Sequence, residues 1–142
     1  MLGVIFSIIA GAAMSFQGVM NTRLGDKVGL YEANAFVQFL GFLLSVVVML
    51  ILGNGDIKGI FNINKWYLLG GVLAIVITIS VMLGIGNLSP TIAISIILIS
   101  QLTVAAVIDA FGILGSEKIF LHWTKFIGLG LMIGGVVLFK IK

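Results

Sequence analysis

Six side chains with the capacity for chemistry stand at helical spacing in an otherwise apolar chain. Gln17 and Asn21 are four residues apart, Asn34 and Gln38 repeat that spacing, and Gln101 and Asp109 flank Ala105 at the same interval. Residues i and i+4 share one face of an α-helix, so each set makes a polar stripe. A carboxamide both donates and accepts hydrogen bonds, so such stripes can bond one helix to another or line a cavity for a small polar solute. Catalytic chemistry is not indicated. The chain has no cysteine, and His122 is its one histidine, with no second ligand at metal spacing. No phosphate-cradling glycine loop, nucleophile elbow or pair of carboxylates is present, so we expect no enzyme, no cofactor and no metal.

The elements that must position these residues are membrane helices. The 142 residues are 61% hydrophobic and 9% charged, with a mean hydropathy of +1.29, values outside the range of soluble domains. From Trp66 to Ile108 no side chain is charged, a run about twice the roughly 20 residues that one crossing needs. It must turn once, and Asn87-Leu88-Ser89-Pro90 is the place: Pro suits the first turn of a new helix and Ser89 is a candidate cap. Charges delimit the other spans, because an unpaired charge at the bilayer centre costs at least about 2.5 kcal/mol. Five spans result, at 2–22, 33–53, 66–87, 90–110 and 123–139, in an all-α integral membrane domain covering 1–142. The first is expected to be retained rather than removed as a signal. The last is short, and Lys125 and Lys140 must snorkel to the two surfaces. Phe111 to Trp123 is too apolar for an ordinary loop and is expected at the interface, where His122 has a structural role.

Depth along these spans sharpens the polar stripes. Gln17 lies five residues before the first span exits and Gln38 five after the second begins, so the two amides could meet. Gln101 falls about 16 Å from the Pro90 end of its helix, near the midplane, and is the first choice for solute contact. An amide bond between membrane helices averages only about 0.6 kcal/mol, which leaves packing and cavity lining both open. Glu32 opens its helix, where the dipole favours it; Asp109 closes one, where the dipole opposes it, and should seek a cation. Lys118, Lys125 or Arg23 of an inverted partner are the candidates, in a structural ion pair or in a substrate- or proton-binding role. Small residues at Gly3, Ser7, Gly11, Ser15, Gly18, Thr22 and Gly25 form one face of the first helix, and Gly130 and Gly134 share a face of the last; both spacings suit close helix packing, the latter at a dimer seam.

Sorting the basic residues by side gives parity. Lys58, Lys65, Lys118 and Lys125 fall on one face, Arg23, Lys27, Lys140 and Lys142 on the other. Orientation follows an excess of Lys and Arg on the cytoplasmic side, and here there is none. Either the balance is accidental or the chain inserts both ways and pairs antiparallel. The basic residues are scattered singly, so nucleic acid is not an expected partner.

The first span and its exit, Phe16-Gln17-Gly18-Val19-Met20-Asn21-Thr22-Arg23-Leu24-Gly25, resemble the YdcZ-type inner-membrane exporters of the drug/metabolite transporter superfamily. So does Ser89-Pro90-Thr91 through Gln101 to Ile108-Asp109-Ala110-Phe111-Gly112, followed by the glycine-rich last helix. The resemblance covers nearly the whole chain. It implies a bacterial inner-membrane protein of five helices, half of a ten-helix inverted-repeat transporter completed by an antiparallel homodimer, that exports small metabolites or drugs. By this analogy the first four helices line the path and the fifth supports the assembly. The chain departs from the small multidrug resistance family in lacking a mid-membrane glutamate in its first helix, so cation–proton exchange is not implied. The resulting expectation is alternating access in the lipid bilayer, with Gln17, Asn21, Gln38 and Gln101 facing a central cavity. A dual-topology ion channel and a non-transporting membrane scaffold are the alternatives.

Overall fold

Apolar segments of membrane length can satisfy their backbone only by hydrogen bonding within themselves, and this chain does so almost throughout. The computed structural model describes residues 1–120 and 122–141, and for Lys140 the backbone alone. Lys142 and the side chain of Lys140, both counted in the charge parity, therefore lie outside the described residues. The helices are α1 (Leu2–Val28), α2 (Leu30–Leu52), α3 (Leu69–Asn87), α4 (Pro90–Phe111) and α5 (Trp123–Lys140). α1, α2, α4 and the stretch Lys65–Asn87 are long and apolar enough to cross a membrane, and α5 is a shorter apolar helix.

The chain divides into two units, Met1–Asn87 and Leu88–Lys142, at the Asn87–Pro90 segment where the uncharged run must turn. In the first unit, α1 does not stop at Thr22 where its apolar run ends. It continues to Val28, so Arg23, Asp26 and Lys27 ride on the helix, and Arg23 Nη1 stands 3.6 Å from Asp26 Oδ2. Hydrophobicity marks where hydrocarbon can end; helical hydrogen bonding runs on past that point. The connection to α2 thereby shrinks to Gly29, at φ 105°, a conformation that disfavours any side chain. Its N–H donates to the Gly25 carbonyl at 2.9 Å and its carbonyl accepts from Ala33 N–H at 3.0 Å. Between α2 and α3 the chain makes two 3-10 turns. Asp56 caps the first, Ile57–Asn62, and Asn64 the second, Lys65–Leu68. Trp66 and Tyr67 lie in that second turn, and α3 proper starts at Leu69.

α1 packs closely on α3 through its small residues. A Cβ at Gly18 would stand 2.8 Å from Ile85 Cδ1 and 3.0 Å from Val81 Cγ1, and one at Gly25 would stand 2.7 Å from Met82 Cε. Gly11, on the same stripe, has no neighbour within 4 Å, and Ser15 Oγ donates to the Gly11 carbonyl of its own helix. Among the described residues the α1–α3 contact is made by the C-terminal half of that face, from Gly18 to Gly25.

In the second unit the local signals act as their chemistry requires. Ser89 Oγ accepts from Ile92 N–H at 3.4 Å, Pro90 opens α4, and Gly112 closes it in the left-handed region at φ 63° with its N–H on the Ile108 carbonyl. After a 3-10 turn at Ile113–Gly115 the chain returns, and Ile119 N–H donates to the Asp109 carbonyl at 2.8 Å.

Candidate functional site

Polar groups collect inside the first unit, toward the Gly29 end of its helices. Asn21 (7% exposed), Thr22 (8%) and Asn34 (7%) are buried there beside Ala33, Met82 and Ile85. Thr22 Oγ1 donates to the Gly18 carbonyl at 2.8 Å and lies 3.5 Å from the Met82 carbonyl, so the hydroxyl is satisfied at the α1–α3 contact. Gln38 Nε2 donates to Thr78 Oγ1 at 3.3 Å, and Thr78 in turn donates to the Ala74 carbonyl. Asn34, one turn before Gln38, buries its Oδ1 with no partner among the described residues. A buried acceptor left in this state costs about 1 to 3 kcal/mol.

Gln17 and Gln38, which their depth would let meet, share no hydrogen bond among the described residues. Gln17 lies twelve residues before Gly29 and Gln38 nine after it, and the Gly25–Ala33 contact shows that residues pair symmetrically about that glycine. The two amides are thus offset by about 4.5 Å along the helices. The one-residue turn sets this register, and it could not be read from spans thought to be joined by a longer loop. Gln38 turns instead to Thr78, a residue that sequence reading passed over. Its signal was faint: Thr78 and Ser80 are the two hydroxyls in a helix of otherwise aliphatic, glycine and methionine residues up to Asn87.

Gln17 and Asn21 face a different feature, a groove of about 680 Å³ between α1 and α2. Arg23 and Lys27 line it as well, and Phe36, Leu40 and Leu44 supply its apolar wall. Along α1 the groove passes from the cations Lys27 and Arg23 to the amides Asn21 and Gln17 over about 15 Å, with apolar side chains of α2 opposite.

A second polar locus belongs to the other unit. Lys125 Nζ of α5 stands 3.3 Å from Asp109 Oδ2 of α4, each side chain being 37% exposed. The carboxylate at an unfavourable helix end has thus found one of the cations proposed for it, while Arg23 is engaged by Asp26. The pair closes one end of a groove of about 290 Å³ with small or flexible walls, including Ala105, Ala106, Gly128 and Met132. Gln101 is exposed on α4, one turn before Ala105. On α5, Gly128 takes the α4 side, whereas Gly130 and Gly134 have nothing within 4 Å. The contact with α4 uses another face of α5 and leaves the face of Gly130 and Gly134 open among the described residues.

Polar residues of each unit thus line a groove between membrane-length or shorter apolar helices. Comparison with known proteins agrees in kind. A family model described as "Putative inner membrane exporter, YdcZ" matches residues 2–138. Neither the curated proteins nor the solved structures provide a match.

Proposed function

We propose a transport mechanism from one premise: the chain belongs to the YdcZ family of inner-membrane exporters. It is a multi-pass membrane protein, with membrane transport as its class of function. In our reading the cargo is a small molecule moved outward by alternating access, and the working unit is a homodimer of oppositely inserted copies in a bacterial inner membrane. Gln17, Asn21, Gln38 and Gln101 face the path, and the Asp109–Lys125 pair is available to exchange partners as helices move.

The observation that carries the reading is the set of buried amides in the first unit. Asn34 holds a buried oxygen with no partner among the described residues, near buried Asn21 and Thr22. Stability alone gives little reason for such a residue, since interhelical amide bonds in membranes are weak. A path that must accept a polar solute gives a better one. Parity of basic residues supports the dimer, because equal numbers on both sides leave neither orientation favoured. Transporters commonly place their site between inverted halves, and five helices are few to enclose a path alone.

Cells expressing the protein should accumulate less of its solute, identified by screening a metabolite panel. Gln17→Leu with Gln101→Leu should remove that effect while leaving dimer formation intact. Unaltered export would take both residues out of the path. Unitary current steps from the purified protein in a planar bilayer would make it a channel instead.

A further inference from the structure

The α1–α2 groove differs from a simple lipid-facing crevice in the order of its lining. Arg23 and Lys27 stand at one end, and no carboxylate is among the residues that line it. Asn21 lies about 3 Å further along α1 than Arg23, and Gln17 about 6 Å beyond Asn21. Phe36, Leu40 and Leu44 of α2 supply the apolar wall. Asn21 is the informative member. Asn21 is 7% exposed, lines the groove and stands beside Arg23 on α1. A carboxamide at that place can both donate to and accept from a bound head.

Charge selects the sign of that something. The Arg23–Asp26 contact is 3.6 Å long, between side chains 79% and 58% exposed, so it is screened and readily exchanged. Arg23 has five N–H donors, and Lys27 adds three more. An anionic head set between them would form charge-assisted hydrogen bonds, stronger than the neutral ones that an alcohol would make. Volume limits the rest of the molecule. About 680 Å³ is in the range of pockets for drug-sized ligands and suits a compact apolar body.

We infer that this groove is the binding site for an amphipathic organic anion, a carboxylate or phosphate head carried on a compact apolar body, with Arg23 and Lys27 holding the head and the Asn21 amide bonding beside it. The inference rests on the exporter reading for one point, that the occupant is a travelling solute rather than a resident lipid.

The test uses the full chain in phosphatidylcholine nanodiscs, titrated calorimetrically with 4-phenylbutyrate, 4-phenylbutanol and 4-phenylbutylamine, with empty nanodiscs subtracted. The carboxylate should bind saturably and about tenfold more tightly than the alcohol, reflecting the charge-assisted bonds. Arg23→Gln combined with Lys27→Gln should erase that preference while thermal unfolding stays unchanged, since both side chains are on the exposed end of α1. Preference for the amine, equal binding of all three probes, or a preference that survives the double substitution would overturn the site. Native mass spectrometry from mixed phosphatidylcholine–phosphatidylglycerol nanodiscs separates the sources. One phosphatidylglycerol retained by the wild type and lost in the double variant would give the groove to a lipid headgroup and overturn the solute assignment. Anion-selective binding with no movement of the anion into proteoliposomes would contradict the exporter reading and leave the anion site standing. Movement of another solute without carboxylate binding would overturn the site alone.

Discussion

Asn34 stores an energetic cost that a hydrocarbon side chain of the same size would avoid. Asn34→Leu should raise stability by up to about 1 to 3 kcal/mol, because it removes the unsatisfied oxygen, yet it should lower transport. Thermal unfolding in detergent beside a cellular export assay would read both; loss of stability would mean that the amide has an unseen partner in the fold. The Asp109–Lys125 pair should behave differently. Both groups are over a third exposed, so Asp109→Asn should cost between about 0 and 1 kcal/mol after screening. A much larger drop in unfolding temperature would reveal a pair that is buried in the working assembly. The need of Asp109 for a cation was legible, because helix polarity is a property of position in the sequence. The same holds for the Ser89 cap, Pro90 and the Gly112 terminus, which act within a single turn. The partner of Gln38 was not legible. Its choice of Thr78 over Gln17 depends on a register set by one glycine.

At the scale of the helix, spacing announces a face and says nothing of how much of that face finds a neighbour. α1 carries small residues from Gly3 to Gly25, and the closest approach to α3 occurs at Gly18 and Gly25. Gly18→Val should therefore destabilise the first unit by about 1 to 3 kcal/mol through collision with Ile85 and Val81. Gly11→Val should change the unfolding temperature little, since open space surrounds it. Equal effects at the two positions would contradict the observed packing. On α5, Gly130→Leu and Gly134→Leu should leave the α4–α5 contact intact. If that open face is the seam between protomers, the pair should reduce cross-linked dimer several-fold in membranes. Helix ends were the least legible feature at this scale. The extension of α1 past Thr22 uses polar residues that composition assigns to a loop, yet Arg23 and Asp26 support the added turn by their i,i+3 spacing.

For the whole molecule, composition and the uncharged Trp66–Ile108 run established the membrane class before any contact was known. The family match over residues 2–138 supplies the transport class. In the proposed mechanism antiparallel pairing joins them, and that proposal rests on electrostatic parity. Adding three lysines to the Lys58–Lys65 connection should force one orientation, and three in the Gly115–Glu117 segment should act likewise, because both lie on the same side. Three lysines after Ile141 should force the opposite one. Each biased variant alone should lose export, and co-expression of opposite variants should restore it. The most direct measurement is the location of the C-terminus in living cells, read with one reporter active only in the cytoplasm and another active only outside it. The account predicts substantial signal from both reporters for the unmodified chain; signal from just one would contradict the antiparallel homodimer.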